Sequence, residues 1–173
     1  LDVVDKFGVS ALLFADLGTV EGHSFSLMAM ISARFSPGIP LGMGFSLTAI
    51  GGALGLQRML DRGAITTAVR QGTLDSVFFV EDVGKHLAEM KKSCEEIFPA
   101  KEGQFFLGLL AQISYEPVVR CNFGLFLQLP KPLEIIIVGA LKVGIKDLDI
   151  IRINVYFAGG INFEEGIWFD ASL

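Results

Sequence analysis

From Val119 to Leu173 the chain alternates apolar and other residues, and the alternation keeps one parity through four successive runs. Odd positions carry Cys121, Phe123, Leu125 and Leu127, then Ile135, Ile137 and Leu141, then Ile153, Val155, Phe157 and Ile161, then Ile167 and Phe169. Side chains along a strand point alternately to opposite faces, so this pattern predicts four β-strands, each offering one apolar face. The expectation is that the odd face lines a common dry core. Even positions are mixed: Arg120, Asn122, Gln128, Glu134, Lys142, Arg152, Asn154 and Asp170 toward the strand ends, and Phe126, Ile136, Val138, Tyr156 and Trp168 in the middle. A helix laid across that middle accounts for the mixture. The junctions around Glu116-Pro117, Pro130-Lys131-Pro132, 146–149 and Glu164-Glu165-Gly166 are short. Short links join antiparallel neighbours and cannot hold crossovers.

Upstream, residues 7–17 form an apolar run that fits a buried strand, followed by a turn over 18–23. Residues 24–35 alternate again, with Phe25, Leu27, Ala29, Ile31, Ala33 and Phe35 on one side. The segment Ser36-Pro37-Gly38-Ile39-Pro40 is expected to end that strand, because proline removes a ladder donor. A third strand is expected over about 41–50, then a tight turn or a close backbone approach at Gly51-Gly52-Ala53-Leu54-Gly55. Residues 35–57 hold no charge, a length that suits a membrane span. Pro37, Pro40 and the repeated glycines argue instead for a strand flanked by turns. Two helices separate the β regions. The first, about 63–71, carries Ile65, Ala68 and Val69 on one side and stops at Gly72. The second, about 82–98, repeats Val83, Leu87, Met90, Cys94 and Ile97 every three or four residues, with Asp82 as N-cap and Pro99 at its exit. Residues 76–80 read as a short extended link. After a loop over 99–103, Gln104–Tyr115 resumes the strand pattern. The fold class expected is α+β: a mostly antiparallel, twisted sheet of about seven or eight strands, with both helices packed on one face.

At 173 residues the chain is long enough for one domain with its own core. Hydrophobic residues make up 51% and charged residues only 19%, below the quarter usual in soluble domains. Sheets buried on both faces, burial against neighbouring domains, or a bound apolar ligand each account for that excess. The chain starts without Met and stops in mid-pattern, so it reads as a fragment of a longer polypeptide. Net charge is −5 and Lys91-Lys92 is the only adjacent basic pair, so no basic stripe is present to neutralise nucleic-acid phosphates.

The candidate chemistry is sparse. His23, in a turn near Ser24, Ser26 and Asp16, is the one arrangement that gestures at a hydrolase, but no Gly-x-Ser-x-Gly elbow accompanies it. His86 falls on the polar side of the second helix. The carboxylate pairs Glu81-Asp82, Glu95-Glu96 and Glu164-Glu165 are sequence neighbours and share no face of a helix. Asp147 and Asp149 lack calcium-loop spacing. Gly51–Gly55 lacks the Gly-Lys-Ser/Thr of a phosphate loop. Cys94 and Cys121, the latter expected to point inward, read as buried free thiols, and no Cys/His cluster suggests zinc. No catalytic, cofactor-binding or metal-binding residue is assigned, and no cofactor is expected.

The run Gly42-Met43-Gly44-Phe45-Ser46-Leu47-Thr48-Ala49-Ile50-Gly51-Gly52-Ala53-Leu54-Gly55-Leu56-Gln57-Arg58 resembles a segment of a family of uncharacterised bacterial domains found within very long β-rich proteins. Leu74-Asp75-Ser76-Val77-Phe78-Phe79 with Glu81-Asp82, Phe98-Pro99-Ala100 with Glu102-Gly103, and Phe169-Asp170-Ala171-Ser172-Leu173 are similar to it too. The resemblance covers residues 42–173 and implies a piece of a larger bacterial protein. It transfers no activity, cofactor or site residue. The expected role is a non-catalytic structural or interaction module, with neighbouring domains of the parent chain or a second copy as partner. The alternative is a carrier whose Phe, Leu and Ile strands hold a lipid-like ligand.

Overall fold

The computed structural model describes residues 2–4, 9–20, 24–74, 91–144 and 152–173. Its strands are β1 (Asp2–Val4), β2 (Val9–Val20), β3 (Ser24–Gly42), β4 (Phe45–Arg58), β5 (Ala100–Tyr115), β6 (Val119–Leu129), β7 (Glu134–Gly144), β8 (Arg152–Asn162) and β9 (Gly166–Ser172). They form one sheet in the order β1 to β9, every neighbour antiparallel, so the chain is a continuous meander. The expected α+β class and antiparallel sheet are both present. The sheet is wider than the seven or eight strands expected only by the three-residue β1.

Helix α1 (Arg62–Gln71) starts where the Asp61 side chain accepts from the Ala64 N–H at 2.8 Å. It stops at Gly72, left-handed at φ 67°, whose N–H returns to Ala68 and Val69 carbonyls. Both ends therefore satisfy groups a helix leaves unpaired. Residues 91–97 are also helical. The start expected for that second helix, Asp82 included, lies outside the described residues, as do the link 76–80 and the junction 146–149.

The core lies between these helices and the even face of β5–β9. Ile65, Ala68 and Val69 of α1, with Cys94, Ile97 and Phe98, pack on Phe106, Leu110, Phe126, Ile136, Val138, Ala158 and Trp168. Phe98 stacks on Phe106 at 4.9 Å between centroids and meets Phe126 at 5.9 Å. The helix laid over the middle of the even face is therefore where the alternation placed it. The odd face is not. Ile153, Ile161 and Phe169 are 42%, 45% and 71% exposed, and Ile135 is only half-buried. The expectation that odd side chains share the dry interior is wrong. Periodicity of two distinguishes faces without saying which is inside. Here the helices' apolar stripes decide, and they sit on the even side.

The N-terminal half differs in detail from the pattern. Strand β2 is exposed at Leu13, Ala15 and Leu17, so it is not buried on both sides. Strand β3 does not end at Pro37. It continues to Gly42, with the ladder to β4 interrupted between Arg34 and Ile39, a break that takes up Pro37, and again just after Pro40. The glycines 51–55 lie inside β4, not in a turn after it. Of the two readings of that cluster, close backbone approach is the one found: a Cβ on Gly51 would sit 2.7 Å from the Ile31 carbonyl oxygen, and one on Gly55 2.2 Å from the Phe106 ring. Strand β5 is bounded at Ala100, inside the loop expected over 99–103, but of that stretch only Ala100 pairs with β4, and residues 101–104 bulge out between the Arg58–Ala100 and Leu56–Phe105 pairs. At this end the sheet curls toward the helices. Cα atoms of β2 come within 8 Å of β5, where three flat strand spacings would span about 14 Å.

Candidate functional site

The odd positions, extended into β2–β5 by pairing, form apolar rows across the sheet. One runs Ala15, Ala29, Leu54, Leu107, Leu127, Ile135, Ile161, Ile167 from β2 to β9. The next runs Leu13, Ile31, Gly52, Leu109, Leu125, Ile137, Gly159, Phe169. A shift in the β4–β5 register between Leu47 and Ala49 moves the outward parity of β4 from odd to even, which keeps Ile50, Leu54 and Leu56 in these rows. Among the described residues, these paired rows carry no charged side chain from β2 to β9; Lys101 and Glu102 lie in the unpaired stretch 101–104 near the start of β5. Leu109 is 68% and Leu125 45% exposed.

Large and small side chains alternate along the row Ala111, Phe123, Gly139, Phe157, Ala171. The Phe123 and Phe157 rings lie 6.5 Å apart over the Gly139 backbone, where a Cβ would strike Phe157 at 2.2 Å. The rings therefore lie down over the glycine, leaving ridges beside shallow furrows.

The polar groups are gathered on the helix side. Arg58 is turned inward beside Gln57, a residue at φ 54° where the ladder to β5 slips. Its Nη2 donates to Asp16 Oδ2 at 2.7 Å and its Nη1 to the Phe98 carbonyl at 3.1 Å. Lys91 Nζ stands 3.6 Å from the other Asp16 oxygen. This buried cluster ties β2, β4 and the segment 91–98 together. Beside it, burial pushes the Cys94 thiol up to about 12, with Arg58 opposing the shift. A thiol so poor in thiolate is no nucleophile. Farther along the sheet, Gln112 Nε2 donates to Asn122 Oδ1 at 2.8 Å, and Thr48 Oγ1 donates to Gln112 Oε1 at 3.1 Å. Gln128 Oε1 accepts from the Leu60 N–H, and Trp168 Nε1 donates to Glu134 Oε1 at 2.6 Å beneath the Arg62 guanidinium. These polar side chains bond to one another and to backbone; they fasten strand to strand and hold the link before α1 against β6.

The residues singled out for chemistry do not converge. His23, His86, Glu81, Asp82, Asp147 and Asp149 lie outside the described residues. Ser26 is fully buried, with its hydroxyl against the Gly18 backbone, and Asp16 is engaged by Arg58 and Lys91. Glu95 and Glu96 pair with Lys91 and Lys92 one turn earlier, on the solvent side. Glu164 and Glu165 occupy the β8–β9 turn, their N–H groups donating to Asn162 Oδ1. Both cysteines are free thiols, as expected. Cys121, however, sits on the bare face, not inward, and its thiol is also raised by burial. Among the described residues no group of His, Cys, Asp and Glu is arranged to hold a metal ion, and no helix is long and apolar enough to cross a membrane. What sequence reasoning missed was the face itself. Its signal was present: odd positions without charge, against even positions with charge at both ends.

A meander clothed by helices on one side and bare, uncharged and apolar on the other defines a one-sided β-layer domain. The chain belongs to DUF6603, a family of unknown function, whose model matches residues 3–173. No curated protein and no solved structure matches the chain.

Proposed function

We propose that this domain is a non-catalytic interaction module of a larger bacterial protein, and that its bare sheet face is the working surface. The observation that supports the reading is the width of the uncharged apolar rows, eight strands from β2 to β9. Eight strands about 4.8 Å apart and roughly ten residues long at about 3.4 Å per residue give such a face an area on the order of 1,000 Å². Contiguous apolar patches beyond a few hundred Å² mark interaction sites, and a stable protein interface takes about 800 Å² from each partner. Functional partners are a second β-rich layer, from a neighbouring domain or another copy.

The carrier reading draws on one specific observation, the near-absence of polar groups on the face, which suits acyl chains as well as protein. Against it stands the curl of β2–β5 toward the helices. A ligand site encloses most of its ligand, and a face that bends away from the ligand does not. The test is a quadruple substitution, Leu107→Thr, Leu125→Thr, Ile137→Thr and Ile161→Thr. The expected result is an unchanged far-ultraviolet spectrum and Trp168 emission, with loss of the binding of a fluorescent apolar dye that the exposed wild-type face supports. Unfolding of the variant overturns the reading, because these side chains would then be core. Extraction of purified wild-type chain into organic solvent, followed by mass spectrometry, tests the carrier: a stoichiometric apolar molecule supports it.

A further inference from the structure

We infer that the occupant of the bare face is a second copy of this chain, packed face to face over β5–β9 about a two-fold axis. The inference deepens the interaction reading and rests on it. Three observations carry it. The first is area: five strands about 4.8 Å apart, most of them 11 residues long at about 3.4 Å per residue, span roughly 800 Å², about what a stable interface takes from each partner. The second is charge. The chain carries −5 overall, yet the paired rows of the β5–β9 face hold no charged side chain. Two copies thus meet over these rows without like charges opposed. Permanent self-association is also the interface class that tolerates so few polar groups.

The third is shape. The ladders of β5 through β9 run without a register shift. The Phe123 and Phe157 rings close over Gly139 into one aromatic ridge, flanked along the row by the small Ala111 and Ala171. A two-fold axis beside that ridge sets it against the low Ala171 end of the partner's row and the partner's ridge against its own, as an isologous contact requires. Two such sheets stack at about 10 Å with interdigitated side chains, as in a sandwich.

Analytical ultracentrifugation of the 173-residue chain at about micromolar concentration tests this, with Trp168 emission confirming the fold. The expected wild-type mass is that of two chains. Leu125→Lys with Ile137→Lys, both solvent-exposed in the single chain, should give folded monomer and weaken association more than 100-fold. Lys92→Glu, on the helix side, should leave the two-chain mass unchanged. In a Cys121→Ser background, Ile137→Cys should form an inter-chain disulfide, reading proximity directly. A wild-type chain that is folded and monomeric overturns the second-copy inference. If that monomer carries an extracted apolar molecule, the interaction reading falls with it. If it carries none, the reading survives with another domain as partner. Open-ended aggregates, or a dimer indifferent to the two lysines, also overturn the inference.

Discussion

Arg58 lies 4% exposed with its guanidinium divided between Asp16 and the Phe98 carbonyl. Removing one partner of a buried pair leaves the other charge without compensation, a loss of several kcal/mol. Arg58→Ala is therefore expected to cost about 3 kcal/mol, read from urea unfolding followed by the emission of Trp168, the single tryptophan. Cys94 gives a pH dependence with a definite sign. Its thiol ordinarily titrates at 9.0 and burial raises it to about 12 in the folded chain. The unfolded chain thus releases this proton first, and the stability held below pH 9 is lost as pH rises toward 12. One such group tilts stability by about 1.4 kcal/mol per pH unit. Cys94→Ala should flatten the decline across that window in thermal melts at stepped pH. The same geometry predicts that a thiol reagent labels Cys121 well before Cys94. Only part of this was legible in the sequence. The apolar stripe of the second helix located Cys94, but Arg58 reads as a surface charge until the slip at Gln57 turns it inward.

Among elements, two glycines in equally crowded places should behave differently. A Cβ on Gly55 or on Gly139 would stand 2.2 Å from a phenylalanine ring. Phe106, which crowds Gly55, is fully buried beneath Phe98 and has nowhere to go. Phe157, which crowds Gly139, lies on the bare face and can swing outward. Overpacking a closed core costs about 1–3 kcal/mol, so Gly55→Ala should lose about 3 kcal/mol and Gly139→Ala much less. Denaturant midpoints of the two variants decide it. Element types were well encoded. The helix over about 63–71 was marked by its stripe and by Gly72, and the strands from Val119 onward by strict alternation. The N-terminal half was harder because its ladders break. Prolines 37 and 40 looked like terminators, yet the interrupted pairing of β3 with β4 accommodates them. Gly51–Gly55 looked like a turn because glycine permits one, and nothing local reveals that a neighbouring ring needs the space.

For the whole molecule, the missing information was which side the helices choose. Both faces of β5–β9 are apolar at their centres, so alternation divides the residues correctly and leaves the choice open. The polar side chains settle it in retrospect. Gln112, Asn122, Gln128 and Glu134 make bonds on the even face, to one another, to the backbone that joins β4 to α1, and to Trp168, and the odd face has no such groups to satisfy. If that assignment holds, Phe126→Ala should destabilise the chain by about 3–5 kcal/mol. Leu125→Ala, one residue away, should cost under 1 kcal/mol in a chain held monomeric by Ile137→Lys. A chemical-denaturation series measures both.

The strictly sequential strand order has a mechanical consequence. Because β1 and β9 are opposite edges of one ladder, tension applied to the edge strands peels them away from the sheet. Peeling breaks hydrogen bonds one after another instead of all at once. The sheet should therefore yield at low force, hairpin by hairpin, and close again the same way. Optical-tweezer traces on single chains should show a staircase of small extensions, with the central strands of the ladder the last to let go.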